Sequence, residues 1–470
     1  MGNEEYFEEE EFRELLNDYE EMVNSGQMVF MDADDLADIA DYYHLHERYE
    51  ESERAIGRAI ELEPDSPIAL SFRVHQALSK NDYKGAEDYL EQMTDTCHPE
   101  YIYCRAEIWM SQGMLEEADD FLRDSQKHVS TTEYQDYVYD VVNLWMEYNH
   151  SEKAMEWMMR ITPEDTEDFK ELMGRTYFGM GAYDDSERIF NELIDKDPFQ
   201  KRYWHALANA QYMKEDYGAS VTSSEYAIAI DPEDPEGIMA KANALFRLEN
   251  FEEALKYYER SSEKGANEAS LLYQGCCLIN LKRYEEAKER LLKAEETASA
   301  DSPYLAEIYQ ELSFVFSELK MTETALQYID KTRTLNCDHA DMLVIRGHIL
   351  LGGGRVDEAK SVFRQAVKES GCSPQTLMRI IVSVYDNQYL ESAYSMFLKY
   401  FSTVDEKCDE GYSYMALCCH DLLRYDEYLH YLEEACRRNP HEAKLVVGHL
   451  FPEDLNAENY YEYEKNRLKK

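Results

Sequence analysis

The stretch FQKRYWHALANAQYMKEDYGASVTSSEYAIAIDP, residues 199–232, decides the fold. Its small and apolar residues recur three and four positions apart in two runs, which is the spacing of two amphipathic helices. A polar turn separates the two runs, and Pro232 follows the second run, where a proline ends a helix. The stretch therefore predicts one helix-turn-helix unit.

Outward from this unit, the same pattern recurs on both sides at a period of about 34 residues, which is typical of a helix-turn-helix array. Each unit has a small residue near the start of its second helix, with a tyrosine in the last unit. These residues are Ser52, Ala86, Ala118, Ala154, Ser186, Ser220, Ala254, Ala287, Ala325, Ala359, Ala393 and Tyr428. We call them the B ladder.

A second ladder lies twelve positions earlier in each unit, in the first helix. Small side chains in both helices allow the pair to approach closely and to pack ridges into grooves. This A ladder consists of Ala40, Val74, Ala106, Val142, Gly174, Ala208, Ala242, Gly275, Ser313, Gly347, Ile381 and Ala416. The prolines up to Pro440 fall at or beside the junctions between units, so none interrupts a predicted helix.

These residues give the chain a resemblance to the tetratricopeptide repeat (TPR) family. In the unit at 199–232, Ser220 stands where the family prefers Ala, and the residues that match the family pattern are Trp204, Leu207, Ala208, Tyr217, Ala227 and Pro232. The resemblance implies an all-α fold, a TPR-type α-solenoid of about twelve stacked units in a right-handed superhelix. It also implies that the first helices line the concave face.

The predicted organisation has four parts. Residues 1–32 form an acidic amphipathic capping helix, and residues 33–300 form a first subarray of about eight units. Residues 301–442 form a second subarray of about four units, and residues 443–470 form a C-terminal capping segment with a charged tail. The division near residue 300 is placed at the longest interval between units, where extra residues lengthen a helix or loop. Capping segments keep the ends of a repeat array soluble.

The composition excludes several classes of partner. The chain has 97 Asp and Glu residues against 48 Lys and Arg residues, a formal net charge of −49. Such a surface repels phosphate groups, so we expect neither nucleic acid nor an anionic membrane as a partner. The sequence contains no apolar run of membrane-spanning length, and its N-terminus lacks the features of a secretory signal. We therefore expect a cytoplasmic protein.

No motif indicates catalysis, a cofactor or a metal. The Asp-rich segment 32–41 lacks the central Gly and final Glu of a calcium loop. The segments 97–98 (Cys-His) and 418–420 (Cys-Cys-His) contain metal-ligand residue types. Successive residues on a helix point about 100° apart, however, and seldom converge on one ion. We expect no cofactor, no metal site and no catalytic site.

The first helices of the three best-matching units predict a partner-binding groove. Its candidate residues are His205, Asn209, Tyr212, Met239, Asn243, Phe246, Leu272, Cys276 and Ile279. Asn209 and Asn243 are equivalent residues one repeat apart, and an amide can hydrogen-bond an extended peptide backbone. The apolar and aromatic members would hold the peptide's side chains. The alternative is that these side chains pack between repeats and that both Asn residues are solvated.

The sequence is interpreted as a non-catalytic scaffold or adaptor that binds a peptide or helix of a partner protein in this groove. Because opposite charges steer association, the partner is expected to be basic, or apolar with basic flanks. The clamp by which some TPR proteins hold acidic chaperone tails is incomplete, since His205 stands where Lys is expected. A regulatory or assembly subunit that docks on an enzyme through repeat edges and termini is the alternative. An enzyme with an unrecognised site is the third possibility, and the sequence sets no oligomeric state.

Overall fold

The computed structural model describes residues 6–7, 10–25, 31–130, 132–161, 166–263, 267–403, 409–452 and 454–468. Throughout these ranges the regular structure is helical, and no strand occurs in them. The predicted all-α class is therefore confirmed. Within the same ranges, no helix combines the length and the apolar character that a membrane span requires.

Twelve consecutive helix pairs form the array, in agreement with the predicted number of units. The first helix of each pair is called the A helix and the second the B helix. In the pairs of residues 33–196 and 235–438 the two helices pack against each other. The first six pairs are α2 Ala33–Leu45 with α3 Tyr49–Leu62, α4 Pro67–Ser79 with α5 Tyr83–Leu90, α6 Pro99–Ser111 with α7 Leu115–Ser125, α8 Tyr134–Glu147 with α9 Ser151–Met158, α10 Glu167–Gly179 with α11 Tyr183–Lys196, and α12 Lys201–Met213 with α13 Tyr217–Ile230.

The remaining six pairs follow in the same alternation. They are α14 Pro235–Arg247 with α15 Phe251–Ser261, α16 Glu268–Asn280 with α17 Tyr284–Thr297, α18 Leu305–Glu318 with α19 Thr322–Lys331, α20 His339–Gly352 with α21 Val356–Glu369, α22 Pro374–Asp386 with α23 Leu390–Thr403, and α24 Tyr412–Asp421 with α25 Tyr425–Arg438. Several A helices begin directly at a proline, whose fixed φ suits the first helical position and whose missing N–H is not needed there.

Helices outside the array cover its two ends. At the N-terminus, α1 Glu10–Ser25 packs Phe12 and Tyr19 into the same apolar cluster as residues of α2. At the C-terminus, α26 Pro440–Val447 and α27 Tyr460–Leu468 follow the last pair, and both pack against α25. The division of the array into subarrays near residue 300 stays a prediction.

The chain forms two compact units, Met1–Ala219 and Ser220–Lys470. The first unit holds its apolar residues in several clusters that follow one another along the helix pairs. The second unit holds them in one continuous cluster that runs from Ala242 to Tyr460. Each unit thus has its own core, built from neighbouring pairs as in a linear repeat array.

Both ladders are buried at the contact between the A and B helices. The clearest evidence is at their glycines: a Cβ added at Gly174 would lie 2.9 Å from the Phe190 ring, and one added at Gly275 would lie 2.6 Å from Leu291. The same holds at Gly347, where the Phe363 ring occupies the space of a Cβ. The small side chain is therefore required at these positions because the residue sixteen places later packs directly over it.

Every A helix of the array ends in the same backbone turn. One residue in each turn has a positive φ: Glu47, Asn81, Gly113, Asn149, Gly181, Glu215, Glu249, Lys282, Lys320, Gly354, Gln388 and Leu423. The residue after it donates its N–H to a carbonyl five positions back, for example from Asn250 to Leu245 at 3.0 Å. This is the Schellman arrangement, which satisfies carbonyl groups that the helix end would otherwise leave without partners.

Candidate protein-binding face

The residue directly after each A-ladder residue lies about 100° further round the A helix than the buried ladder contact. We call these twelve residues the face column. In the first unit the column is polar throughout, with Asp41, His75, Glu107, Asn143, Arg175 and Asn209. In the second unit it is mostly apolar, with Asn243, Cys276, Phe314, His348, Val382 and Leu417.

Polar column residues of the first unit contact one another across repeats. His75 Nε2 lies 2.7 Å from Glu107 Oε2, and Arg175 donates to Asn143 Oδ1 at 3.3 Å. These links join consecutive A helices, so successive repeats are held together by directed contacts on this face as well as by the apolar core.

Neighbouring positions on the A helices add a second set of polar groups to this face. The hydroxyl of Tyr103 on α6 donates to Asp140 Oδ2 on α8 at 2.8 Å. Ser111 and Tyr148 share a hydrogen bond of 3.1 Å between the same parts of the chain. The carboxylate of Asp140 thus faces the A helix of the preceding repeat, where a hydroxyl group stabilises its charge.

Several carboxyl groups of this face have a raised pKa. Burial raises the pKa of Asp41 to about 6, against the effect of His75. Burial also raises the pKa of Asp140, although the Tyr103 hydroxyl opposes the shift. At Glu147 burial raises the pKa, and the charge of Glu107 adds to it. The common cause is dense surrounding protein combined with like charge, which disfavours the carboxylate form.

Asp140 and Glu147 nevertheless keep exposed side chains. They are accessible to a partner and yet poorly stabilised as anions by water. A cation from another molecule would therefore stabilise the ionised form of such a group more than it would stabilise a fully hydrated carboxylate.

Three cations of the A helices point towards the B helices. Arg73 bonds to Glu53 Oε2 of the preceding B helix at 2.8 Å, and Arg105 bonds to Glu87 Oε2 at 2.6 Å. In the second unit Lys241 bonds in the same way to Glu225 Oε1 at 2.7 Å. Each of these three ion pairs binds an A helix to the B helix before it, whereas Arg175 stays in the face column beside Asn143.

The predicted groove residues of the first unit have different environments. His205 is buried with 7% of its surface exposed, whereas Asn209 is exposed. The Tyr212 ring stands edge-on against Tyr217 at the start of the B helix, with the ring centroids 5.3 Å apart. Tyr212 therefore helps to close the turn of its own repeat, and Asn209 is the accessible member of this group.

In the second unit, the first three predicted residues are partly buried. Asn243 Oδ1 accepts a hydrogen bond of 2.7 Å from the hydroxyl of Tyr258 within the same repeat. Phe246 stands edge-on against Phe251 at 5.4 Å, as Tyr212 does against Tyr217, and Met239 packs against the core. Asn209 and Asn243 are thus equivalent in sequence, but Asn243 has a bond within its own repeat.

The last three predicted residues lie on α16. Leu272 is fully buried, Cys276 is 9% exposed, and Ile279 is partly buried against the core. Leu272 therefore packs inside the second unit and offers no open surface. Whether any of the nine predicted residues binds a partner stays a prediction.

A carboxyl group beside Cys276 was not singled out from the sequence. Burial and the neighbouring Glu307 raise the pKa of Glu311 on α18 to about 7, and both carboxyl groups act electrostatically on Cys276. Acidic residues are so frequent in this chain that neither Glu311 nor Asp140 forms a distinctive motif. Reading the A helices in the common register of the A ladder is the signal by which these residues could have been found.

Cysteines of the described part are thiols without disulfides. Cys418 and Cys419 are buried, and burial raises the pKa of Cys419 to about 12. His420 lies 3.0 Å from the carboxylate of the next residue, Asp421. The Cys-Cys-His segment is therefore divided between the core and the surface.

Comparison with known proteins agrees with this architecture. The family model described as "Anaphase-promoting complex, cyclosome, subunit 3" matches residues 213–294. Two models described as "Tetratricopeptide repeat" match residues 172–235 and 340–370. With twelve stacked helix pairs at the expected period, the chain is a tetratricopeptide repeat protein. Repeats of this kind generally form non-catalytic scaffolds for protein interactions.

Solved structures of low sequence identity are similar in fold. Yeast Tom70 is 15% identical, with 93% of this chain and 96% of that chain covered at a TM-score of 0.43. The structure titled "APC/C hetero-tetramer Cut9-Hcn1" is 13% identical, with 90% and 94% covered at a TM-score of 0.38. YrrB, titled "a TPR protein with an unusual peptide-binding site", is 17% identical, with 40% and 95% covered at a TM-score of 0.34. No curated protein matches the chain in sequence.

Proposed function

We propose that the chain is a non-catalytic scaffold that binds a basic segment of a partner protein along the A helices of its first compact unit. The observation that carries this proposal is the pair of exposed carboxyl groups, Asp140 and Glu147, whose pKa is raised by the surrounding protein. A Lys or Arg side chain placed beside them stabilises the carboxylate charge, which water stabilises poorly there.

The distribution of basic residues supports the same partner chemistry. Arg73 and Arg105 are engaged with Glu53 and Glu87 of the preceding B helices. The net charge of −49 adds long-range attraction for a basic segment and accelerates its association. A basic partner therefore meets favourable charge both at a distance and at the surface.

Other side chains on the same helices can contribute hydrogen bonds. Asn143 and the exposed Asn209 carry amides that can bond to a peptide backbone regardless of its side chains. The first unit therefore offers a bound segment both charge and backbone hydrogen bonds.

The direct test measures binding of a fluorescent peptide that alternates Lys and Leu, with a Glu-Leu peptide of equal length for comparison. The double variant Asp140→Asn, Glu147→Gln is compared with Glu116→Gln, Glu152→Gln, which removes the same charge from exposed positions on α7 and α9. We expect the first variant to weaken binding of the basic peptide by roughly three- to tenfold. The second variant should change the affinity by less than about twofold.

Two results would contradict the proposal. Equal weakening by both variants would show that the peptide responds only to net charge and not to the A helices. Equal affinity for the acidic and the basic peptide would remove the charge argument altogether. If a partner instead requires α1 or α27 for capture while the face variant binds it normally, the docking of an enzyme through the termini becomes the better explanation.

A further inference from the structure

Three side chains with different metal-ligand atoms meet on the A helices of the first unit. His75 lies on α4, while Cys104 and Glu107 lie one turn apart on α6. Their ligand atoms, an imidazole nitrogen, a thiol sulfur and a carboxylate oxygen, all lie within 4.8 Å of one another. Among the described residues, no other group of three such side chains comes this close.

The contact between His75 and Glu107 does not satisfy the carboxylate. His75 Nε2 and Glu107 Oε2 are 2.7 Å apart, but Oε2 has no hydrogen bond of acceptable geometry to any described residue and is buried. Only 8% of the surface of Glu107 is exposed, so water cannot readily supply the missing partner. A buried carboxylate oxygen left in this state costs free energy that a bound cation would recover.

The donor set matches a particular class of ion. Sulfur, imidazole nitrogen and carboxylate oxygen are together the ligands of Zn²⁺, which binds them at about 2.0 to 2.3 Å in a tetrahedron. Such bond lengths place the ligand atoms roughly 3.5 Å apart, so the side chains need to rearrange by only about 1 Å. Calcium and magnesium are poor candidates because they prefer oxygen ligands.

We propose that His75, Cys104 and Glu107 bind one Zn²⁺ ion, with a water molecule as the fourth ligand. The ion reaches the site past His75, because 53% of this side chain is exposed while Cys104 is fully buried. When the zinc bonds form, the thiol proton of Cys104 passes to solvent, and a protonated His75 likewise releases the proton of its coordinating nitrogen to solvent. The negative charges of Asp41, Glu100 and Glu147 around the site add to the attraction for a cation.

The competing explanation is a simple ion pair. Burial lowers the pKa of His75, but the neighbouring Cys104 and Glu107 raise it overall. A protonated His75 beside Glu107 would account for their short distance without any metal. The two explanations differ in whether the Cys104 thiolate binds a metal ion.

Cobalt(II) titration of the chelator-treated, full-length protein distinguishes them, because a cobalt–thiolate bond gives a charge-transfer absorption in the near ultraviolet. The titration is run in physiological salt with excess Mg²⁺, which occupies non-specific acidic sites. His75→Ala is the principal variant, since a half-exposed side chain can be removed with little risk to folding. Glu107→Gln and Cys104→Ser are the companion variants, and Cys97→Ser and the exposed Glu116→Gln are the matched controls outside the cluster.

We expect one charge-transfer site in the wild-type protein, reversed by Zn²⁺, and unchanged signals in both controls. His75→Ala should weaken cobalt binding by roughly tenfold or more, and Cys104→Ser should abolish the absorption. Zn²⁺ should also raise the melting temperature of the wild-type protein and not that of His75→Ala. Absence of the absorption in the wild type, or an equal signal in His75→Ala, would overturn the proposal and leave the ion pair as the explanation.

Discussion

The two compact units place different chemistry on the same position of the same fold. In the first unit the face column is polar in every repeat. Two contacts join its members across repeats, one between His75 and Glu107 and one between Asn143 and Arg175. In the second unit the column passes through Cys276 and Phe314 to Val382 and Leu417, which pack beside the continuous core. The ladders beneath are the same in both units.

This difference shows that the residues of the face column can change in type while the ladder residues of the helix pair keep theirs. The ladder contact is apolar or small in every pair and requires a small residue at Gly174, Gly275 and Gly347, and the residue after each ladder residue lies outside that contact. A TPR array can therefore change from directed polar links to apolar packing without altering its repeat. The first unit thus carries polar and charged groups at these positions, and the second adds apolar packing there.

The largest expected effect tests whether the two units differ only in their face columns and not in their cores. Phe190→Ala in the first unit and Phe363→Ala in the second remove rings that cover Gly174 and Gly347 at equivalent places. Each change should lower the free energy of unfolding by about 3 to 5 kcal/mol, because it leaves a large cavity in the core. Chemical denaturation measures the cost, and hydrogen exchange locates it in the altered unit. A cost below about 1 kcal/mol in either unit would mean that the units also differ in their cores.

The next effect concerns ionisation on the face of the second unit. The pKa of Glu311 is raised from 4.5 to about 7, so the folded protein holds this proton more tightly than the unfolded chain. Its contribution to stability is complete below pH 4.5 and is lost as the pH rises through about 7. Glu311→Gln should therefore raise the free energy of unfolding above that pH by on the order of 1 to 3 kcal/mol.

Melting temperatures across this pH range check the prediction, with the exposed Glu289→Gln as the control. In the first unit, Asp140→Asn should act in the same direction but less strongly, because the Tyr103 hydroxyl stabilises the ionised carboxylate. If the wild-type protein instead became more stable relative to Glu311→Gln as the pH rises, the prediction for Glu311 would be wrong.

A smaller effect separates the two equivalent asparagines. Asn243→Ala removes the acceptor of the hydrogen bond from the Tyr258 hydroxyl and should cost about 0.5 to 1.5 kcal/mol of stability. Asn209→Ala changes an exposed side chain and should cost less than about 0.5 kcal/mol. Denaturant midpoints of the two single variants give the comparison. Equal costs would show that Asn209 also has a structural role.

The smallest effect is expected in the turns, where the two units are alike. Glu215 and Glu249 have φ values of 63° and 60° in equivalent turns. Replacing either by Gly relieves backbone strain but increases the entropy of the unfolded chain, so stability should change by less than about 0.5 kcal/mol. Differential scanning calorimetry measures both, and a large loss at Glu215→Gly alone would show that its side chain holds the turn.

The fold was predictable because packing imposes small residues and prolines at regular intervals. The ladders identified all twelve helix pairs, and prolines such as Pro235 and Pro374 begin A helices as their chemistry requires. The turns themselves carried little signal. A residue in the left-handed backbone conformation is commonly expected to be Gly or Asn. Several of these turns instead have Glu or Lys at that position, and one has Leu423.

The site was less predictable because exposure depends on contacts within each repeat. Asn209 and Asn243 occupy equivalent positions in the sequence. They differ in the structure because the Tyr258 hydroxyl donates a hydrogen bond to Asn243. Tyr212 and Phe246 have the spacing of groove residues but contact the first aromatic residue of their own B helices. His75, Cys104 and Glu107 could not be recognised as a group, because their proximity depends on the register of two helices from different repeats.

The Schellman turns at the ends of the A helices have a consequence for the side chains that this chain can display. The turn is held by main-chain bonds such as that from Asn250 to Leu245, and the twelve positive-φ positions hold Gly, Asn, Gln, Glu, Lys and Leu. All twelve positions are exposed. Each repeat therefore has one solvent-facing position whose charge and size can differ from those of its neighbours while the main-chain bonds of the turn stay the same.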